Sequence, residues 1–482
     1  MSDKRIALSG GIWTSLSTAV VMLAQVLRIV ILTRFLGKSD FGIVSIINVV
    51  IGLCTSFADL GFASVIMYKK QLSINEFSTL FWIQMIIFYI IYGVLFLLSP
   101  LISHFYNEPI LTTLIPISSL SIIFLGIGKL YDNVLLKQYK FKLLALRNIV
   151  TNILSLFLAW WLAVKGYGVY SLIYSTLFQV AIYNIWNFIS GFKHLKITFV
   201  FKFKSVLPLV KMGLYQTYTH IADYFSSKLD VLIIGKFLGT ETLGLYDLSK
   251  ELVYKLVYFI RSVVYRVALP MLTNCNENDE MVKSRFLIVT KTVAFMCFPI
   301  CITVAVFSTD IVRIMYGEKF IEAAALVLIF SLVTLFTSIG SYFDMLGIAK
   351  GRTDLNFYNV LYRVIFTIPI IIMTSLISIK AVALGHLLLA IILFVVMWKV
   401  IVKRTYPMSP KEYVRQFGRL AFVMLPFGTV YYLFMQTECL NLFGDPILNV
   451  LLNGLIYVLL LALLGFAFLK KDIMFFLDMV KN

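Results

Sequence analysis

Charge is what this sequence has least of. Asp, Glu, Lys and Arg make up 14% of its 482 residues, against about 25% in a soluble domain. No stretch between its apolar runs exceeds about 17 residues, which leaves no room for a separate soluble domain. Its five cysteines are scattered, with Cys54, Cys297 and Cys301 inside apolar runs and Cys275 and Cys439 between them. Cys297 and Cys301 stand one helical turn apart with no histidine or acid beside them, so they read as small packing residues rather than as a metal or redox pair. No G-x-x-x-x-G-K-S/T phosphate loop occurs, which argues against direct use of ATP. The short stretches near 107–109, 316–320 and 438–446 hold no cluster of acids or arginines. Together these absences argue against an enzyme: there are no candidate catalytic residues, no metal ligands and no cofactor motif.

Apolar residues fill the space instead. They make up 60% of the chain and recur in long runs such as 81–100 and 450–469. About 20 such residues cross a bilayer. The first run follows Lys4 and Arg5, extends from about Gly10 to Leu32 and ends on Arg34 with no small-x-small cleavage site, so it reads as a retained span rather than a signal peptide. Fourteen spans are expected: 10–33, 42–66, 79–100, 111–129, 143–164, 167–190, 208–235, 243–268, 287–309, 321–346, 356–378, 381–401, 417–436 and 448–469. The expected fold class is an all-α polytopic membrane protein.

Lysine and arginine orient these spans. With the N-terminus and every second gap assigned to one side, that side collects 28 of them and the other side 7. Both termini are therefore expected in the cytoplasm. The net charge of +18 follows largely from this asymmetry. Anionic lipid headgroups suffice as its partner and nucleic acid need not be invoked.

The chain also repeats itself. ILTRFLGKSDFG at 31–42 returns as IIGKFLGTETLG at 233–244, an offset of 202 residues. Carried outward, the offset maps span 1 onto span 7 and span 2 onto span 8. Thr14, Ser17, Thr18, Gln25 and Arg28 fall on Gln216, Thr219, His220, Ser227 and Asp230. Ser45, Asn48, Gly52, Ser56 and Asp59 fall on Asp247, Lys250, Tyr254, Tyr258 and Arg261. Spacings of three, four and seven place each set on one helical face. A weaker echo joins LYDNVLLKQYKF at 130–141 to YFDMLGIAKGRT at 342–353, with Asp132 opposite Asp344 at an offset of 212, and chance resemblance is its alternative. Six spans separate corresponding elements, so both copies enter the membrane from the same side. Such a parallel repeat about the membrane normal occurs in alternating-access transporters. It predicts an N-lobe over 1–207 (spans 1–6), a C-lobe over 208–402 (spans 7–12), and spans 13–14 with the tail over 403–482.

Spans 7 and 8 carry charge that a bilayer penalises by about 2.5–3.5 kcal/mol per residue at its centre. Asp223, Lys228, Asp230, Asp247, Lys250, Glu251, Lys255, Arg261 and Arg266 cannot all reach the interface, which predicts a hydrated cavity. At 1.5 Å per residue from the 236–242 turn, Asp230 lies level with Lys250 and Asp223 with Lys255. These pairs either join two helices or serve transport. Arg28, Arg261 and Arg363 are the deeper cations, and unpaired cations around a cavity suit an anionic substrate, phosphate above all. Tyr254, Tyr258 and Tyr265 either stack on sugar rings or pack helices. His220, one turn from Asp223, either relays a proton or makes an interhelical hydrogen bond. His386 reads as a packing residue. Segments 191–207 and 402–416 mix basic and apolar residues, as a segment lying in the headgroup plane does.

The opening, SGGIWTSLSTAVVMLAQVLRIVILTRFLGKSDFGIVSIINVVIGLCTSFADLGFASVIM at 9–67, with GKFLGTETLGLYDLSKEL at 235–252, resembles the polysaccharide-transporter branch of the multidrug/oligosaccharidyl-lipid/polysaccharide exporter superfamily, which contains the Wzx-type flippases. The resemblance covers the whole chain. It implies two six-helix lobes, two further helices, and movement of oligosaccharide repeat units on polyprenyl pyrophosphate from the cytoplasmic to the outer leaflet of a bacterial cytoplasmic membrane. The precursor would serve O-antigen, capsule or exopolysaccharide. Related flippases place arginines on helices 1, 2 and 8. Arg28 and Arg261 match this pattern, while span 2 offers Asn48 and Asp59 in place of an arginine, with Arg363 or Lys255 as substitutes. The implied substrate-binding set is Arg28, Asn48, Lys250, Tyr254, Lys255, Tyr258, Arg261 and Arg363. The implied ion-coupling set is His220, Asp223 and Asp230, with H+ or Na+ as counter-ion. Membrane lipids and other polysaccharide-assembly proteins are the implied partners. The alternative is a cation-coupled drug or metabolite exporter of the same fold, a class that usually stops at twelve helices.

Overall fold

The computed structural model describes residues 3–58, 73–352, 354–406, 408–437 and 446–468, with isolated positions between and beyond them. Every regular element among the described residues is helical. In a bilayer the backbone must satisfy its own hydrogen bonds, which a helix does within one segment.

The long helices are α1 (Asp3–Phe35), α2 (Lys38–Ala58), α3 (Ile74–Tyr106), α4 (Leu111–Lys137), α5 (Phe141–Val164), α6 (Tyr170–Phe192), α7 (Phe203–Phe237), α8 (Gly239–Thr273), α9 (Asp279–Val306), α10 (Ala323–Gly340), α11 (Asp354–Ser375), α12 (Ile379–Met397), α13 (Gly418–Met435) and α14 (Pro446–Phe468). Each corresponds to one expected span. Thirteen helices among the described residues are long and apolar enough to cross a membrane. The one not in that set, α7, is equally long but carries Lys211, Asp223, Lys228 and Asp230 between its ends. Some helices start before their expected spans, as α3 does at Ile74, five residues before 79, on a Ser73–Glu76 capping box, whereas α6 begins after 167 and α11 ends before 378.

The chain divides into two compact units, Met1–Gly244 and Leu245–Asn482. Within the first, α3 packs on α4, α4 on α6, α5 on α6 and on α1, and α7 lies against α2 and α3. Within the second, α9 packs on α10, α10 on α12 and α11 on α12, with α13 against α9 and α14 against α13. The pairings α3–α4, α4–α6 and α5–α6 thus recur six helices later, which is the packing expected of a parallel repeat. The core of the first unit includes Phe77, Leu80, Phe81, Phe88 and Tyr131, and that of the second Phe286, Phe298, Phe343, Trp398 and Tyr413. Lipid tails are as apolar as leucine, so close packing and hydrogen bonds, rather than exclusion of water, hold these helices together.

The weaker echo is structural as well. Tyr139 and Gly351, at the 212 offset, both have positive φ, 58° and 71°. Tyr139 N–H donates to Leu136 O and Lys140 N–H to Leu135 O, and in the second copy Gly351 N–H donates to Ile348 O and Arg352 N–H to Gly347 O. The partners obey the same offset, and the same helix-ending pattern also closes α3 at Asn107 and α5 at Gly166.

Candidate functional site

The repeated phrase of the sequence forms a close backbone approach, tighter than at any other described glycine of the first unit. α1 turns into α2 over 35–38, and α7 turns into α8 over 237–239. A Cβ added to Gly42 would stand 1.8 Å from Thr240 O, and one added to Gly244 would stand 1.9 Å from Lys38 O. Gly42 corresponds to Gly244 under the 202 offset, and Lys38 to Thr240. The contact is therefore reciprocal: each copy's glycine receives the other copy's carbonyl. The side chains obey the same exchange. Ser39 Oγ lies 2.8 Å from Thr240 Oγ1, and the exchanged pair, Glu241 and Lys38, forms an ion pair at 3.6 Å. Thr240 also donates to Glu108 Oε1 at 2.6 Å, and Lys236 to Phe105 O at 2.6 Å, which ties the end of α3 into the junction. Sequence reasoning located both turns but not their contact, because spacing along a chain carries no information on which turns meet.

Along the same helices Tyr224 O–H donates to Asn48 O at 3.2 Å. A Cβ on Gly52 would stand 2.0 Å from that hydroxyl, so α7 is seated on α2 over several turns.

Arg28 reaches from α1 to the polar surface of α6, donating to Leu172 O, Ser175 Oγ and Thr176 Oγ1 at 3.1, 2.7 and 2.8 Å. The Asn48 side chain is exposed on α2. Asp230 is buried at 2% exposure while Asp223 is exposed. His220 lies outside the residues whose side chains are described.

In the second unit Lys250 Nζ sits 5.4 and 5.8 Å from the ring centroids of Tyr246 and Tyr254 and donates to Tyr246 O–H at 3.4 Å. Tyr246 in turn bonds His386 Nε2 at 2.7 Å, so His386 is a partnered packing residue. Lys255 pairs with Glu251 one turn away at 2.5 Å. Tyr258 projects outward, 62% exposed. Asp344 is an acid within electrostatic reach of Arg261, and it accepts from Tyr265 O–H at 3.2 Å. Tyr342 O–H donates to Arg261 O at 3.2 Å. Arg363 is half-buried on α11. Of the expected residues of this unit, Lys250 and Tyr254 thus share one polar-aromatic group and Arg261 stands in another.

A polar cluster inside the first unit was not anticipated. Arg147, only 1% exposed, bonds Asp132 at 2.9 Å and Tyr183 O–H at 2.5 Å, and also meets Asn187. Its guanidinium stacks 3.7 Å over the Tyr183 ring. The charge count above places Arg147 among the cytoplasmic cations, whereas the fold buries it between α4, α5 and α6. The echo Asp132/Asp344 was the only signal pointing there.

Comparison with known proteins extends this geometry. Residues 31–325 match a family model described as "Polysaccharide biosynthesis protein". The chain is 25% identical over 443 residues to the lipopolysaccharide biosynthesis protein WzxC of Escherichia coli K12, covering 90% of this chain and 88% of that one. It is 25% identical over 354 residues to the teichuronic acid biosynthesis protein TuaB of Bacillus subtilis 168, covering 73% of each. Among solved structures, the fold is similar to the lipid II flippase MurJ in an inward closed conformation, with a TM-score of 0.74, 17% identity, and coverage of 97% of this chain and 100% of that one. An inward-facing multidrug resistance MATE family transporter of the MOP superfamily gives a TM-score of 0.62 at 11% identity, covering 80% of this chain and 98% of that one. Since the family model spans more than half of its length, this chain belongs to the polysaccharide biosynthesis protein family.

Proposed function

We propose that the chain is a flippase that moves polyprenyl-pyrophosphate-linked oligosaccharide repeat units from the cytoplasmic to the outer leaflet by alternating access. The observation that carries the reading is helical extent. The fold it shares with a lipid flippase covers 97% of this chain, whereas the multidrug transporter folds cover 80–86%. The two helices α13 and α14 fit the first and exceed the twelve usual in the second. The names of the relatives, lipopolysaccharide and teichuronic acid biosynthesis, support a glycan cargo.

With both termini cytoplasmic, the reciprocal turns at Gly42 and Gly244 lie on the outer side and their contact closes that side. The moving bodies are the repeat lobes, 1–207 and 208–402, with 403–482 as the added pair. Arg28 and Arg261 supply guanidinium groups for the pyrophosphate, whose oxygens match their forked donors. Lys250 with Tyr254 offers cation and ring surface to the cargo beyond. Asn48, Lys255, Tyr258 and Arg363 complete the binding set, and Asp223 and Asp230, with His220, carry an H+ or Na+ that couples the cycle. The location is the bacterial cytoplasmic membrane.

The test is reconstitution in liposomes with a polyprenyl-pyrophosphate oligosaccharide, comparing wild type with Arg28→Ala and Arg261→Ala. Transbilayer movement by wild type, lost by at least about tenfold in each variant, supports the reading. A single charge-assisted hydrogen bond of about 1.5–3 kcal/mol accounts for such a factor. Movement indifferent to both arginines, or transport of a lipophilic cation instead, favours the drug-exporter reading.

A further inference from the structure

A cleft of about 690 Å³ opens at the start of α5, lined by Tyr139, Lys140, Phe141, Lys142, Leu146 and Trp186 among others. Three local rules are broken along its rim. Tyr139 holds a left-handed conformation that L-residues with a side chain adopt at a cost. No side chain caps the N-terminus of α5, and no acid stands in its first turn. Lys142 stands there instead, although the helix dipole disfavours a cation at that end.

The second copy of the same turn shows what a self-sufficient version looks like. Gly351 replaces Tyr139 at the left-handed position. Asp354 replaces Lys142 in the first turn and binds Arg352, the counterpart of Lys140, through two 2.8 Å hydrogen bonds. Lys350, the counterpart of Gln138, is held by Asp279 at 2.6 Å. The second turn thus neutralises its own cations. In the first, Lys142 has a ring, Trp13 at 5.5 Å, for a neighbour, and among the described residues no acid lines the cleft. Two lysines, an uncapped helix N-terminus and an aromatic wall leave a place for an anion that no described acid fills.

The surroundings identify the anion's carrier. From the cleft a row of exposed apolar side chains runs up α5 through Leu146, Val150, Ile153, Leu154, Phe157 and Trp161. Steps of three and four keep them on one face. A soluble phosphate has no use for such a row, whereas an acyl chain does. We infer that this cleft binds an anionic phospholipid, its phosphate at Lys140, Lys142 and the start of α5, its chains along the α5 row. The site is separate from the residues assigned to the transported lipid, and it stands whether or not the flippase reading holds.

The test is native mass spectrometry of the full chain purified from nanodiscs containing equal phosphatidylglycerol and phosphatidylcholine. Wild type is expected to retain phosphatidylglycerol selectively. Lys140→Gln/Lys142→Gln is expected to weaken that retention by about fivefold per lysine, the contribution of one basic residue near an anionic surface. Lys142→Asp, which installs the acid of the second copy, is expected to abolish selectivity while thermal stability holds or rises. Lys165→Gln, at the other end of α5, is the control for bulk charge. Equal retention in wild type and double variant, an equal loss in the control, or displacement by glycerol phosphate as readily as by lipid would each overturn the assignment.

Discussion

Arg147 and Asp132 show how burial decides what a charged residue is worth. Arg147 is 1% exposed and Asp132 36%, so the two partners do not fail alike when one is removed. Asp132→Ala strands a guanidinium away from water, and breaking a buried pair in that way costs about 3–5 kcal/mol. Arg147→Met leaves a carboxylate that water already reaches, and about 1–2 kcal/mol is expected for the hydrogen bonds lost. Asp132→Leu/Arg147→Met is expected to lie closer to wild type than Asp132→Ala. Thermal melts in detergent check the order, and an Arg147→Met variant less stable than Asp132→Ala would contradict it. At this scale the sequence was least legible. Arg147 follows a basic turn and reads as one more cytoplasmic cation, because a list of residues does not say which faces of α4, α5 and α6 converge. Arg28 was legible as an intramembrane cation, but its anchorage on Ser175 and Thr176 was not.

Among the helices, length and hydropathy carried most of the information. All fourteen expected spans correspond to helices, and the differences lie at their ends in both directions: the polar Ser73–Glu76 turn starts α3 five residues before its span, whereas α11 stops three residues short of its own. The repeat was legible as words but not as a contact. A glycine at 42 and at 244 admits several uses in sequence, whereas the structure assigns both the same one: removing the Cβ that would collide with a carbonyl from the other copy. Gly42→Ala and Gly244→Ala are therefore expected to act alike, each forcing the two turns apart at a cost of about 1–3 kcal/mol. Ser39→Cys with Thr240→Cys places two thiols where oxygens now stand 2.8 Å apart, so the rate of disulfide formation reports closure. Both alanine variants should slow it comparably. A substitution at one glycine that leaves the rate unchanged would show that the contact is not reciprocal in solution.

For the molecule as a whole, the repeat joins sequence to function. Helix pairings recur six helices apart, the phrase at 31–42 meets its copy at 233–244, and the turn at 138–140 reappears with its hydrogen bonds at 350–352. The copies differ in charge rather than in fold. The second places Lys250, Glu251 and Lys255 on α8 where α2 carries the uncharged Asn48, Val49 and Leu53, and it neutralises a basic turn that the first leaves open. On the proposed alternating-access reading, the contact shared between the copies parts without unfolding either. The claim that parting is required for transport is tested most directly by flipping assays on the Ser39→Cys/Thr240→Cys protein in liposomes. Oxidised, it is expected to stop moving the lipid-linked oligosaccharide, and reductant is expected to restore movement to the wild-type rate. Transport by the fully crosslinked protein at an unchanged rate would contradict the account.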